Sequence, residues 1–104
     1  MTRRPEATPQ TVALGGDFTA REVPAQYAES LAWQRAGSVP AAIDLAGVRR
    51  TDSSFLALLL EWQSWARALG TAIEFRNPPA ALRTFADLSA VSELLGWPAD
   101  TPAP

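Results

Sequence analysis

The segment from Ala41 to Gly70 constrains this chain most: a short apolar run, a polar loop, and then a long helix that is apolar on more than one face. Ala41-Ala42-Ile43-Asp44-Leu45 has strand length and strand composition. Thr51-Asp52-Ser53-Ser54 follows, with an acid and two hydroxyls where a loop becomes a helix; Ser53 or Asp52 supplies the N-cap. The helix runs to Leu69 and stops at Gly70. At about 100° per residue, one stripe holds Phe55, Leu58, Trp62, Trp65 and Leu69. A second holds Leu56, Leu59, Leu60 and Ala66, with Gln63 among them. A helix lying on a sheet buries one stripe. The other needs a further cover, or it forms the kind of patch that marks a partner site.

The rest of the chain alternates in the same way. Residues 1–10 read as an arm interrupted by Pro5 and Pro9. Thr11 to Leu14 reads as a strand closed by Gly15-Gly16. A helix is expected over Val23–Ala36, with Pro24 in its first turn and Gly37 at its end; Thr19 and Glu22 stand at capping-box spacing before it. Tyr27 and Trp33 on this helix are expected in the core. Ala72 to Phe75 reads as a strand, broken by Asn77-Pro78-Pro79. A helix from Ala80 to Asp87 follows, then a short one from Ala90 to Leu95, capped by Ser89 and closed by Gly96. Residues 97–104 read as a Pro-rich tail. The expected fold class is α/β, one domain over residues 11–96, with a mixed β-sheet flanked by helices.

Composition removes whole classes of chemistry. The 104 residues include no cysteine and no histidine, so a disulfide framework, a Ser-His-Asp triad and a His/Cys zinc site are excluded. The acids form no evident cluster, which leaves carboxylate catalysis as a remote reading, and no metal or cofactor is expected. Nine basic residues against eleven acidic are scattered along the chain, which argues against nucleic acid; Arg49-Arg50 is a weak pair. The longest apolar run, Phe55 to Leu60, is too short to span a membrane, and no apolar segment follows the early arginines. A cytoplasmic protein without enzymatic activity, peripheral to a membrane only through a partner, is the expectation.

Ile43-Asp44-Leu45-Ala46-Gly47-Val48 followed by Thr51-Asp52-Ser53-Ser54-Phe55-Leu56-Ala57-Leu58-Leu59 resembles the signature of STAS domains, with Gly70 as the helix-closing glycine and Gly16-Asp17-Phe18 as an earlier element. The Leu-rich helix is most similar to the STAS subunits of Mla phospholipid transporters. That resemblance implies a binding subunit on the cytoplasmic ATPase of an ABC transporter that maintains outer-membrane lipid asymmetry. Ser53 matches the threonine such subunits present to the ATPase. The alternative branch is the anti-sigma-factor antagonists, whose partner is a kinase and whose phosphorylated residue matches Ser54; Ser53 is the second candidate. Phe55 stands where the family usually has Gly, which favours constitutive docking over a phosphorylation switch. In the family's register Leu56, Leu59 and Ala66 face the core, and Phe55, Leu58, Trp62 and Trp65 point outward. The implied partner surface is therefore Asp52, Ser53, Ser54, Phe55, Leu58, Trp62 and Trp65. A weak homodimer through the Trp patch stays open.

Overall fold

A computed structural model of the chain describes residues 10–97. The elements are β1 (Thr11–Phe18), α1 (Val23–Ala36), β2 (Ala42–Thr51), α2 (Ser53–Ala68), β3 (Glu74–Arg76) and α3 (Ala80–Leu88), followed by a 3-10 turn at Glu93–Leu95. The three strands form one sheet in the order β1-β2-β3, and both pairings are parallel. Sequential order with right-handed crossovers puts α1 and α2 on the same face. The burial pattern agrees. Val12, Ile43 and Phe75 lie side by side across the sheet and all belong to the core or its border. In the rows beside them Thr11, Ala13, Glu74 and Arg76 are exposed.

β1 does not stop at Gly15-Gly16. It continues through both glycines to Phe18, because the glycines serve a close and irregular strand pairing instead of a turn. Ala13 pairs with Asp44 and Gly15 with Gly47, so β2 spends one residue more than β1 over the same stretch; the step recurs between Gly16/Val48 and Phe18/Thr51. A side chain on Gly47 would begin 3.1 Å from the Leu14 carbonyl oxygen, and Gly16 has a φ of 93°. β2 is accordingly longer than its apolar run and reaches Thr51.

The helix α1 has the expected bounds, and the αL residue Gly37 closes it. α3 extends one residue past Asp87 to Leu88, and the region expected as a helix from Ala90 tightens into the 3-10 turn. Trp97 is not tail. It is buried, its indole N–H donates to the Phe75 carbonyl at 2.9 Å, and its ring meets Phe75 edge-on. The remaining tail positions and residues 1–9 of the arm lie outside the described residues.

α2 is central, and both of its stripes are buried within the chain except at Leu60, which is half-buried, and Leu69, which is exposed. Leu56, Leu59 and Ala66 are core, as expected. The outward orientation expected for Phe55, Leu58, Trp62 and Trp65 is corrected: all four are buried, Phe55 and Trp62 completely. α1 and the end of β1 provide the second cover. Phe55 stacks on Phe18 with ring centroids 4.9 Å apart. Trp62 tilts against Trp33 at 5.0 Å and donates its indole N–H to the buried Ser30 hydroxyl at 2.9 Å. Trp65 meets Tyr27 at 5.9 Å and donates to Glu61 at 3.0 Å. α1 itself is poor in large apolar residues, so the aromatic bulk of α2 fills this seam. Tyr27 is 38% exposed and Trp33 half-buried, so they border the core instead of lying within it.

Gln63 sits in the stripe opposite the Trp residues and is buried. Its amide accepts the Ile73 N–H at 2.8 Å and donates to the carbonyls of Ile73 and Leu94 at 3.1 and 3.2 Å. It satisfies backbone groups where the chain enters β3 and leaves the 3-10 turn, which accounts for a polar residue in an apolar stripe.

Candidate functional site

The N-terminus of α2 forms one rim with the β1–α1 turn, at the C-terminal ends of β1 and β2. Asp52 is extended and caps α2: one carboxylate oxygen accepts the Ser54 N–H at 2.8 Å. Its other oxygen accepts the Ala20 N–H at 2.9 Å, from the turn after β1. That turn is braced locally by Glu22, which accepts both the N–H and the hydroxyl of Thr19, at 2.8 and 2.6 Å. Half of the expected capping box is thus present, closing the turn that leads into α1.

These bonds hold the charges in place. The Ala20 N–H, with the Ser54 N–H, keeps the Asp52 carboxyl below its ordinary range. The Thr19 hydroxyl does the same for Glu22. Asp44 lies further back along β2. The Asn77 side chain and the Ala46 N–H, both at 3.0 Å, hold its carboxyl low, so it serves the bulge and the loop after β3.

The sequence-expected partner residues divide sharply. Ser53 is exposed at the first position of α2, while Asp52 and Ser54 are half-buried. Phe55 and Trp62 offer no side-chain surface and Leu58 and Trp65 very little, so near the helix start the accessible site contracts to Asp52, Ser53 and Ser54. Phe55 neither blocks an approach to the helix start nor anchors a partner, because its ring lies against Phe18 beneath the rim. Sequence reasoning missed the contribution of Ala20; the Thr19/Glu22 spacing was the signal that this turn is structured.

The arrangement is an Asp-capped, Leu-rich helix that opens with an exposed hydroxyl at the end of a parallel sheet. The family model for the Mlab-type STAS domain matches residues 1–96. The chain belongs to the STAS family. No curated protein sequence matches it significantly. STAS domains are in general binding modules without catalytic chemistry. Among the described residues of this STAS domain, no group of three acidic side chains is placed to hold a metal ion. No helix among them is long and apolar enough to cross a membrane.

An open concavity of about 360 Å³ lies between the C-terminal ends of α1 and α2 and is lined by Trp33, Gly37, Val39, Trp65 and Leu69 among others. It sits at the far end of α2 from Ser53, a helix length of about 24 Å away.

Proposed function

We propose that this STAS domain is a protein-binding subunit that docks on the cytoplasmic ATPase of a Mla-type phospholipid ABC transporter, where it would serve outer-membrane lipid asymmetry. The observation that carries this reading is Ser53: it is exposed at the head of a rigidly capped helix, in a chain matched by the Mlab-type family model. The rim acts by shape. Asp52 fixes the helix start and the β1–α1 turn as one surface, so a partner meets a preformed site and loses little ordering entropy on binding. On this reading the domain is cytoplasmic and reaches the membrane only through its partner.

The test is capture from native membranes and cytosol with tagged protein, comparing wild type with Ser53→Lys. An ABC ATPase recovered with its permease by wild type and lost in S53K, at unchanged melting temperature, supports the reading. Recovery of a soluble serine kinase instead would overturn it in favour of an anti-sigma-factor antagonist. Ser54, the residue that alternative would phosphorylate, is half-buried with its N–H on Asp52, so the geometry favours the docking reading.

A further inference from the structure

The β1–α1 turn satisfies itself and then reaches out once. Thr19 and Glu22 close it reciprocally. The Glu22 amide donates to the Thr19 carbonyl at 2.9 Å, and the Thr19 amide and hydroxyl both donate to one oxygen of the Glu22 carboxylate, at 2.8 and 2.6 Å. The Val23 amide shares the Thr19 carbonyl at 2.9 Å, and the Arg21 amide reaches the Thr19 hydroxyl at 3.3 Å. Of the amides from Thr19 to Val23, only that of Ala20 is spent outside the turn, on Asp52 at 2.9 Å. Asp52 is held in its turn by the Ser54 amide at 2.8 Å. A chain of bonds therefore runs from Glu22 through Thr19 and Ala20 to Asp52, and Ser53 is the next residue. Ala20, Arg21 and Ser53 are exposed, while Thr19, Glu22 and Asp52 are half-buried.

We propose that Glu22 is a positioning residue for docking: through Thr19 it sets the Ala20–Arg21 turn against Asp52, so that the partner meets this turn and Ser53 as one surface. The inference rests on the docking function proposed above and extends its contact surface to a turn 32 residues earlier in the chain. Geometry, not charge, is the requirement. Both Thr19 bonds end on the same Glu22 oxygen, and an amide carbonyl accepts the same two bonds. Glu22→Gln therefore keeps the turn, and Glu22→Ala releases it. A turn that is not held in place must be ordered when the partner arrives, and that ordering is subtracted from affinity.

One measurement on the purified domain and one on the complex test this assignment. In hydrogen exchange, Glu22→Ala should speed the Ala20 amide roughly two- to tenfold, the factor that the net contribution of one hydrogen bond corresponds to. The amides of the α2 interior should stay protected, and Glu22→Gln should exchange like wild type. In ATPase capture, Glu22→Ala should lose roughly two- to tenfold on the same grounds, and Glu22→Gln should retain capture. Ala20→Trp leaves the backbone bond in place and adds bulk to the turn, so it should lose capture at unchanged melting temperature. Asp52→Ala already cuts the chain of bonds, so adding Glu22→Ala to it should cost capture nothing more. An unchanged Ala20 amide in Glu22→Ala overturns the assignment. So does full capture by Glu22→Ala or by Ala20→Trp, and so do losses that add in the double variant, which mark Glu22 as a stabilising residue only. If wild type captures no ATPase, the transporter reading fails alone, and the exchange of the Ala20 amide still decides the role of Glu22.

Discussion

The Asp52 carboxylate accepts the Ala20 amide proton at 2.9 Å, joining two turns that are 32 residues apart in sequence. Its other oxygen caps α2 through Ser54. One side chain therefore sets both the start of the central helix and the position of the turn beside it.

Replacing Asp52 with alanine removes both bonds. Loss of the cap costs about 1 kcal/mol, visible as a lower urea midpoint. The Ala20 amide should then exchange faster with solvent than the amides of the α2 interior. Asp52→Asn keeps an acceptor for one amide and should lose less stability.

Trp62→Phe leaves the Ser30 hydroxyl without the indole donor it now accepts from. The hydroxyl keeps its own bond to the Tyr27 carbonyl, so the expected loss is about 0.5–1.5 kcal/mol for the one hydrogen bond, in addition to the smaller ring. Trp62→Ala should cost about 3–5 kcal/mol by opening a cavity between α1 and α2. Near-ultraviolet dichroism and melting should report both. A charged residue at Trp62 should unfold the domain, so lost binding in such a variant says nothing about docking.

Gln63→Ala strands the Ile73 N–H and the two carbonyls that the amide now serves. A loss of about 1–3 kcal/mol is expected for the buried backbone groups left unpaired. Gln63→Glu places a carboxylate against those carbonyls and should cost more than alanine at neutral pH, narrowing the gap under acid. A denaturant series at two pH values separates the variants.

Stability should fall in acid through the rim. The carboxyls of Asp52 and Glu22 titrate below their ordinary values in the folded chain. Their contribution is present above the unfolded values, about 4, and is lost as pH drops through the lower folded ones, when the unfolded chain binds protons more readily. The slope of unfolding free energy against pH below about 5 should be shallower in Asp52→Asn and in Glu22→Gln than in wild type. Equal slopes would remove these carboxylates from the account.

Much of the architecture was written in local signals. Pro24 and Gly37 bracket α1, Asp52 opens α2, and the Asn77-Pro78-Pro79 break separates β3 from α3; the elements stand where those residues put them. Gly15-Gly16 misled because two glycines suit a turn and a bulged close pairing equally well, and only the partner strand decides between them. The Trp stripe was harder still. Periodicity showed two apolar faces on α2 and left open what covers the second; both are largely core. The family register argued for an outward Trp face, and α1 gave no warning that it would cover it, since its own large apolar residues are few. Ser30 is the residue that decides the matter. A lone serine on a surface-looking helix carries no sequence signal until the indole it meets is known.

From Ser53 to Phe55 the chain passes from solvent to full burial in one turn of helix. Contact surface and core are thus mechanically one piece: whatever presses on Ser53 bears on the Phe18–Phe55 stack, and a partner that grips the rim braces the interior. Cells carrying a weakened core and cells carrying an altered rim would then show the same defect. Only thermal melting of the purified variants would tell a protein that cannot stay folded from one that cannot be held.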